Sequence, residues 1–340
     1  MSIEYLRPGD ELELRGETHR VEKQIPAGNY GAVYRTNCNG NKPKIVKVYG
    51  LSVPIGDESV GEFISNIHTY NSRLRTAGVR VPETLETIDR PGKRLGYRNV
   101  FVITDFVGES LENLIIAAKT KRKALRYVRM ILNANGNLLN ICEEGNLLVA
   151  VDHLPRNYTT LDGKTAIYVD IVPPKFKDGN KFLLEFPEVE NPRARRVGIY
   201  RHYDAVGLMH ALLVHLVRMR PEFYHSFEKE IINWLEKKGH TNTAESFRNR
   251  FVPTRISLNG NNDGVVKHIE SLRFRHIYDM RELAGAFLHV GLMTPDEVND
   301  FHKVSHFSVE PLADEVMDDL RQRLIQACHK KAKHPSTNTN

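Results

Sequence analysis
The chain has little cysteine and little tryptophan: three cysteines, Cys38, Cys142 and Cys328, and one Trp in 340 residues. An odd number of widely separated cysteines, without a Cys-x-x-Cys pair, excludes a disulfide framework and a paired-cysteine metal knuckle. It fits a reducing cytoplasm. No apolar run reaches the roughly 18 residues of a membrane span. The start, MSIEYLRPGDELEL, lacks an apolar core and carries early acids, so a signal peptide is not expected. No Ser or Thr lies between Thr165 and Ser226, which excludes a Ser/Thr phosphorylation switch within that stretch. No nucleic-acid-binding module and no internal repeat is found. The excess of positive charge is small, 48 Lys and Arg against 42 Asp and Glu, and fits a soluble enzyme with a mild preference for anionic partners. With 41% hydrophobic and 26% charged residues, the composition is that of a globular chain.

Two halves of different character are present. Glu11–Leu14 and His19–Ile25 read as strands across Arg15-Gly16, Gly31–Thr36 alternates, and Lys44–Tyr49 is rich in β-formers. Val60, Phe63, Ile64, Ile67, Tyr70 and Leu74 repeat at helical spacing, predicting a helix over Asp57–Ala77 ended by Gly78. Val79–Ile88 and Arg98–Phe106 complete a β-rich half that ends near residue 107. From Gly108 the chain turns helical: Ser110–Ala118 and Lys121–Cys142 read as helices and Leu147–Val151 as a short strand. A hairpin, Tyr158–Thr160 with Thr165–Val169, is expected across Asp162-Gly163. Further helices are expected over Arg201–Met219, Glu222–Lys238, Asp279–Leu292, Pro295–His302 and Pro311–Lys330, the residues after 330 forming a disordered tail. The fold class is therefore α+β in two lobes: residues 1–107 around one sheet and one main helix, and residues 108–330 mostly helical.

Chemistry-bearing residues fall at the edges of these elements. Gly28, Asn29, Tyr30 and Gly31 make a tight turn between two strands, where bare backbone amides suit phosphate oxygens. Pro26 stiffens its approach, and Val33 just beyond can cover one face of a base. Lys47 lies mid-strand between Val46 and Val48, and a half-buried ammonium there calls for an anionic partner. Phosphate would serve, steadied by a helix carboxylate, with Glu62 as first choice and Glu58 as second; Lys44 is a decoy nearer the strand start. At the end of the last strand of the first half, Asp105 and Val107 flank an extended segment able to offer backbone groups to an adenine edge. Asp152 opens a polar loop, Asn157 follows five positions on and Asp170 thirteen beyond that. A carboxylate at 152 can orient or accept the proton of a hydroxyl, and the oxygens of Asn157 and Asp170 suit a hard cation such as Mg²⁺. Arg156 lies beside Asn157. Arg193, Arg195, Arg196 and Arg201 form a basic stretch, read chiefly as a solvated loop. His210 and His215, out of phase for a common helix face, read as core histidines.

In this order and at these separations the residues resemble the signature of the protein-kinase-like superfamily, over roughly residues 20–175. The superfamily includes eukaryotic-type protein kinases, aminoglycoside phosphotransferases and choline-kinase-like enzymes. The resemblance implies a two-lobed kinase-like fold that binds ATP and Mg²⁺ and transfers the γ-phosphoryl group to a hydroxyl. Lys47 would bind the α- and β-phosphates and pair with Glu62. Asp152 would be the catalytic base, and Asn157 and Asp170 would bind the metal. The departures favour a small-molecule acceptor over a protein. Leu154 stands where Ser/Thr kinases carry a lysine, Asp-x-x-Pro-x-Asn is closer to the aminoglycoside and choline branch, and Val172-Pro173-Pro174 stiffens the chain after the metal Asp. A protein Ser/Thr kinase and a nucleotide-binding pseudokinase are the alternatives.

Overall fold
The computed structural model describes residues 6–14, 16–25, 31–38, 42–51, 57–83, 85–92, 98–140, 142–143, 146–178, 181–185, 201–250, 277–279 and 309–311. Its architecture is bilobal α+β, a β-rich N-terminal part followed by a helical one.

Six antiparallel strands form the first part: β1 (Glu11–Leu14), β2 (Glu17–Ile25), β3 (Gly31–Cys38), β4 (Lys44–Leu51), β5 (Leu85–Pro91) and β6 (Arg98–Asp105), in the spatial order β1-β2-β3-β4-β6-β5. The alternation of side chains along a strand assigns the two faces. Leu12, Leu14, Val21, Ala32, Tyr34, Val46, Val48, Phe101 and Ile103 pack together on one face. The edge strands approach each other around this core, where Arg90 on β5 donates to the Glu13 carbonyl on β1. Tyr49, Val100 and Val102 line the other face and meet α1 (Asp57–Thr76).

Helix α1 buries the expected stripe, and it serves both lobes. Val60, Phe63 and Ile67 pack on the sheet, whereas Tyr70 and Leu74 belong to the helical core. Gly78, at φ +77°, ends it as expected, and Val79 N–H returns to Leu74 O at 2.9 Å. The strand expected from Val79 begins only at Leu85. Val79 and Val81 are instead buried in the helical core, and Arg75 binds the Pro82 and Glu83 carbonyls at 2.6 and 3.0 Å, taking acceptors a strand would need.

Beyond residue 107 come β7 (Glu109–Ser110), α2 (Leu111–Ile116) and α3 (Lys121–Ala134). Ser110 and Thr120 cap the two helices through their hydroxyls. Ala124, Tyr127, Val128, Ile131 and Leu132 give α3 its buried face. It stops well short of Cys142, at the C-cap Asn135 ahead of Gly136, where the backbone N–H turns to Leu132 O at 3.2 Å and the side-chain amide donates to Tyr158 Oη. Of the strand expected over Leu147–Val151 only Leu147 is in a strand, at the end of the two-residue β9 (Asn146–Leu147), which pairs with β8 (Cys142–Glu143). After them, β10 (Tyr158–Thr160) and β11 (Ile167–Tyr168) form the expected hairpin, with β7 on the other side of β10. A further hairpin, β12 (Lys175–Asp178) with β13 (Lys181–Glu185), precedes α4 (Ala205–Met219), α5 (Tyr224–Lys237) and α6 (Thr241–Arg250). Arg201–Tyr203 are helical as expected, and Asp204, which caps α4, interrupts the helix expected to run unbroken from Arg201 to Met219. His210 is buried and stacked on Phe247 at 4.6 Å, a core residue as expected. Ile277–Asp279 (β14) and Val309–Pro311 (β15) pair antiparallel where helix starts were expected at Asp279 and Pro311; the rest of the helices expected after 279, and the tail after 330, lie outside the described residues. Among the described residues no helix is long and apolar enough to cross a membrane.

Gly108 joins the lobes at φ +104°, and a Cβ there would collide with the Thr160 backbone on β10. Gly108→Ala is therefore expected to lower the stability of the chain by at least about 2 kcal/mol in urea denaturation. Gly163→Ala, also at positive φ but with open space around it, should cost less.

Candidate functional site
The crease between the sheet and the helical lobe collects charge. Lys47 reaches it because Val46 and Val48 point into the sheet's own core, so the residue between them must point the other way. Directly across from Lys47 stand Val33 on β3 and Val102 on β6, and directly opposed residues share a face. Lys47 is buried, and its ammonium donates to the Val169 carbonyl, 122 positions away, at 2.5 Å. Burial lowers the Lys47 pKa and the neighbouring Asp170 carboxylate opposes that shift.

The hairpin explains how residues thirteen apart come together. Tyr158 and Tyr168 face each other across β10 and β11, so Asn157 before one strand lies beside Val169-Asp170 after the other. Val169 N–H donates to Asn157 O at 2.8 Å, closing the register. A single turn of 3₁₀ helix with Pro155 at its start returns Asn157 towards Asp152. The Asn157 Nδ2 then donates to Asp152 O at 3.0 Å, Asp152 Oδ2 at 3.2 Å and Asp170 Oδ2 at 3.4 Å. One amide thus bridges both carboxylates. The loop is held from below by Tyr70, which donates to Ala150 O at 2.7 Å, and by Tyr168 Oη, which accepts the Asp152 N–H at 3.0 Å.

The two carboxylates differ in their electrostatics. Burial would raise Asp152, but Arg201, His202, Arg156 and His215 outweigh it and hold the carboxyl at about 2. Arg201 dominates these charges: it is buried and donates through Nη2 to Asp152 Oδ1 at 2.8 Å. His202 follows, its Nδ1 donating to Val151 O at 3.0 Å while lying 3.9 Å from Asp152 Oδ1. Asp170 goes the other way. Burial, with Asp152 adding to it and Lys47 and Arg156 opposing, pushes its carboxyl up to about 6. Positive charge is in deficit around Asp170 and in surplus around Asp152.

Lys47, Asp152, Asn157 and Asp170 therefore share one place, with Val33 on the sheet wall above Lys47. Glu62 does not join them. It is exposed on α1, out of phase with the buried stripe of Val60, Phe63 and Ile67, and the carboxylate set against Lys47 is Asp170. The Glu58 side chain lies outside the described residues, as do Gly28, Asn29 and Tyr30 of the glycine loop and Arg193, Arg195 and Arg196. Gly31 opens β3, and a Cβ there would press on Val48 O at 3.0 Å and the Tyr49 ring at 3.2 Å, which is a packing reason for glycine. Asp105 closes β6 and takes Lys44 in a 2.8 Å ion pair, so Lys44 is occupied away from the crease. Val107 follows in a stretch without regular structure. Arg201, read from sequence as part of a solvated basic run, is instead buried against Asp152; its only sequence signal is an arginine just ahead of an apolar helix.

No protein-family model matches the chain, and no curated protein matches it significantly. Among the described residues, one group of three side chains has the composition of a metal site, Glu17, His19 and Cys38 on β2 and β3.

Opposite stability effects are expected from the two ends of the site. A carboxyl whose folded pKa is raised contributes stability below its unfolded pKa and loses it as pH rises through about 6, so ionised Asp170 burdens the fold at neutral pH. Asp170→Asn should raise stability by about 2 kcal/mol at pH 7.5, the gain vanishing below about pH 4. Arg201→Met strands a buried carboxylate and should cost about 3 kcal/mol. Urea denaturation of both variants across pH checks the pair of signs.

Proposed function
We propose that the chain is an ATP-dependent phosphotransferase, moving the γ-phosphoryl group of ATP·Mg to a hydroxyl on a small molecule, with a kinase-like two-lobed fold. The observation that carries the reading is the meeting of Lys47, Asp152, Asn157 and Asp170 in one crease, from opposite sides of the lobe boundary.

The donor set fits a hard divalent cation: the Asp170 carboxylate and the Asn157 amide can both present oxygen, and Asp170 is short of positive charge. Asn157 serves with or without the ion, since its amino group bridges the carboxylates and half a turn of the amide would offer Oδ1 instead. When bound, Mg²⁺ would neutralise charge on the terminal phosphate oxygens. The Lys47 ammonium, buried, bonded to the Val169 carbonyl and attracted by the nearby Asp170 carboxylate, suits phosphate oxygens entering the crease. Val33 and Val102 would form the apolar wall beside it.

Asp152 would orient the acceptor hydroxyl. A carboxylate held at about 2 is a weak base, so it would accept the hydroxyl proton late, once the oxygen is bonding to phosphorus. Arg201 fixes Oδ1 and Asn157 holds Oδ2, which leaves the carboxylate a single orientation. Most of the rate enhancement would then come from positioning and charge neutralisation. The small-molecule preference rests on Leu154, which is buried where a phosphate-contacting lysine would be needed, and on Ile171 and Val172, packed against α1 and the sheet. A segment anchored in that way suits a fixed site better than a switch.

Turnover of ATP with Mg²⁺, with pooled aminoglycosides, sugars, amino alcohols or generic protein as acceptor, tests the reading. Acceptor-dependent turnover in a small-molecule pool is expected, reduced by about 10²-fold or more in Asp170→Ala. Turnover with protein alone would make it a protein kinase, and ATP binding with no turnover in any pool would leave a nucleotide-binding pseudokinase.

A further inference from the structure
The inner face of the sheet holds a second cluster of chemistry-bearing side chains, at the end of β3 away from the crease. His19 on β2 stands directly across from Cys38 on β3. Glu17 lies two residues before His19 and so emerges on the same face. The Cys38 thiol donates to Glu17 Oε2 at 3.4 Å, and His19 Nε2 is 3.8 Å from that same oxygen. One ligand atom from each residue lies within 4.8 Å of the other two. His19 and Cys38 are buried while Glu17 is exposed, so an ion would have a path in along the glutamate.

The surroundings prepare the histidine for ligation. His19 Nδ1 is 3.3 Å from Thr36 Oγ1, which shares the face two residues before Cys38. With the ring proton on Nδ1 and donated to that hydroxyl, the Nε2 lone pair would be directed at Glu17 and Cys38, the outer support that metal-bound histidines have. Burial lowers the His19 pKa, which keeps the ring neutral at neutral pH, and burial with the neighbouring Glu17 raises that of the Cys38 thiol. A divalent cation replacing the thiol proton would meet one carboxylate, one thiolate and one neutral imidazole. Its two positive charges would then be balanced by two negative ones, which removes the cost of burying either sign alone.

We propose that Glu17, His19 and Cys38 bind a Zn²⁺ ion, with three protein ligands and a fourth position open to water. The mixed S, N and O donor set selects zinc over magnesium or calcium, which require oxygen ligands. The bound ion ties β2 to β3 at the end away from residues 26–30. Cys38 is five residues beyond Val33, which stands across from Lys47, roughly 16 Å along the strand and on the opposite face of the sheet. The site is thus separate from the crease, and its presence does not depend on the phosphotransferase reading.

Cobalt(II) tests the site in the full chain after chelator treatment, because thiolate ligation to cobalt gives a near-ultraviolet charge-transfer band that oxygen ligands do not. One equivalent is expected to give that band together with intense visible bands of four-coordinate geometry, both bleached by Zn²⁺. Cys38→Ser and His19→Gln should abolish the charge-transfer band or cut the affinity at least tenfold. The double variant Cys142→Ser/Cys328→Ser should keep it. In the wild type, Zn²⁺ at a hundred times its dissociation constant should raise the folding equilibrium constant about a hundredfold. Absence of the charge-transfer band in the wild-type chain would overturn the proposal without any variant. So would a band undiminished by Cys38→Ser or lost in the double variant.

Discussion

Two carboxylates brought together inside a protein repel each other and resist ionisation unless positive charge or a hydrogen-bond donor stands between them. In this chain the donor is the Asn157 amide, shared by Asp152 and Asp170, and the rest of the crease follows from how each acid is then balanced. Arg201 settles Asp152 as a permanent anion, and Lys47 only partly offsets the burial of Asp170. The asymmetry assigns different work to similar groups. One carboxylate is fixed in direction and always charged; the other is kept short of a cation.

The fold builds this arrangement from local devices. Pleating puts Lys47 on the face away from the sheet's core, and the hairpin register brings Asn157 alongside Val169 and Asp170. Ile171 and Val172, directly after Asp170, are buried with Phe63 and Ile67 of α1 and Val100 and Val102 of the sheet. The segment carrying the second acid is thereby fastened to the first lobe. Because α1 also contributes Tyr70 and Leu74 to the helical core, and Tyr70 binds Ala150 O just ahead of Asp152, the same helix supports both sides of the crease.

What could be read from the sequence was local in origin. Asp162-Gly163 announced the hairpin, the apolar stripe announced α1, and Gly78 announced its end, because each depends on neighbours in the chain. The convergence of Lys47 with Asp170 was legible only through motif order, since no local property links residues so far apart. Arg201 was not legible, because its partner in the fold is Asp152, 49 positions earlier. Glu62 shows a different failure. The stripe that located α1 also sets its phase, and that phase turns Glu62 outward. The strand expected from Val79 failed because alternating apolar residues can equally mark a capped helix end packed under a second lobe. Cys38 and His19 face each other only through the β2–β3 register, which no local property of the sequence links.

The central claim, that Lys47 and Asp170 act together on one ligand, is tested most directly by calorimetric titration of ATP with and without Mg²⁺. The account predicts a single Mg²⁺-dependent site in the wild type. Affinity should fall about tenfold or more in Lys47→Met and in Asp170→Asn, and stay unchanged in Glu62→Gln. Binding that ignores Mg²⁺, or that survives both crease substitutions at full strength, would contradict it.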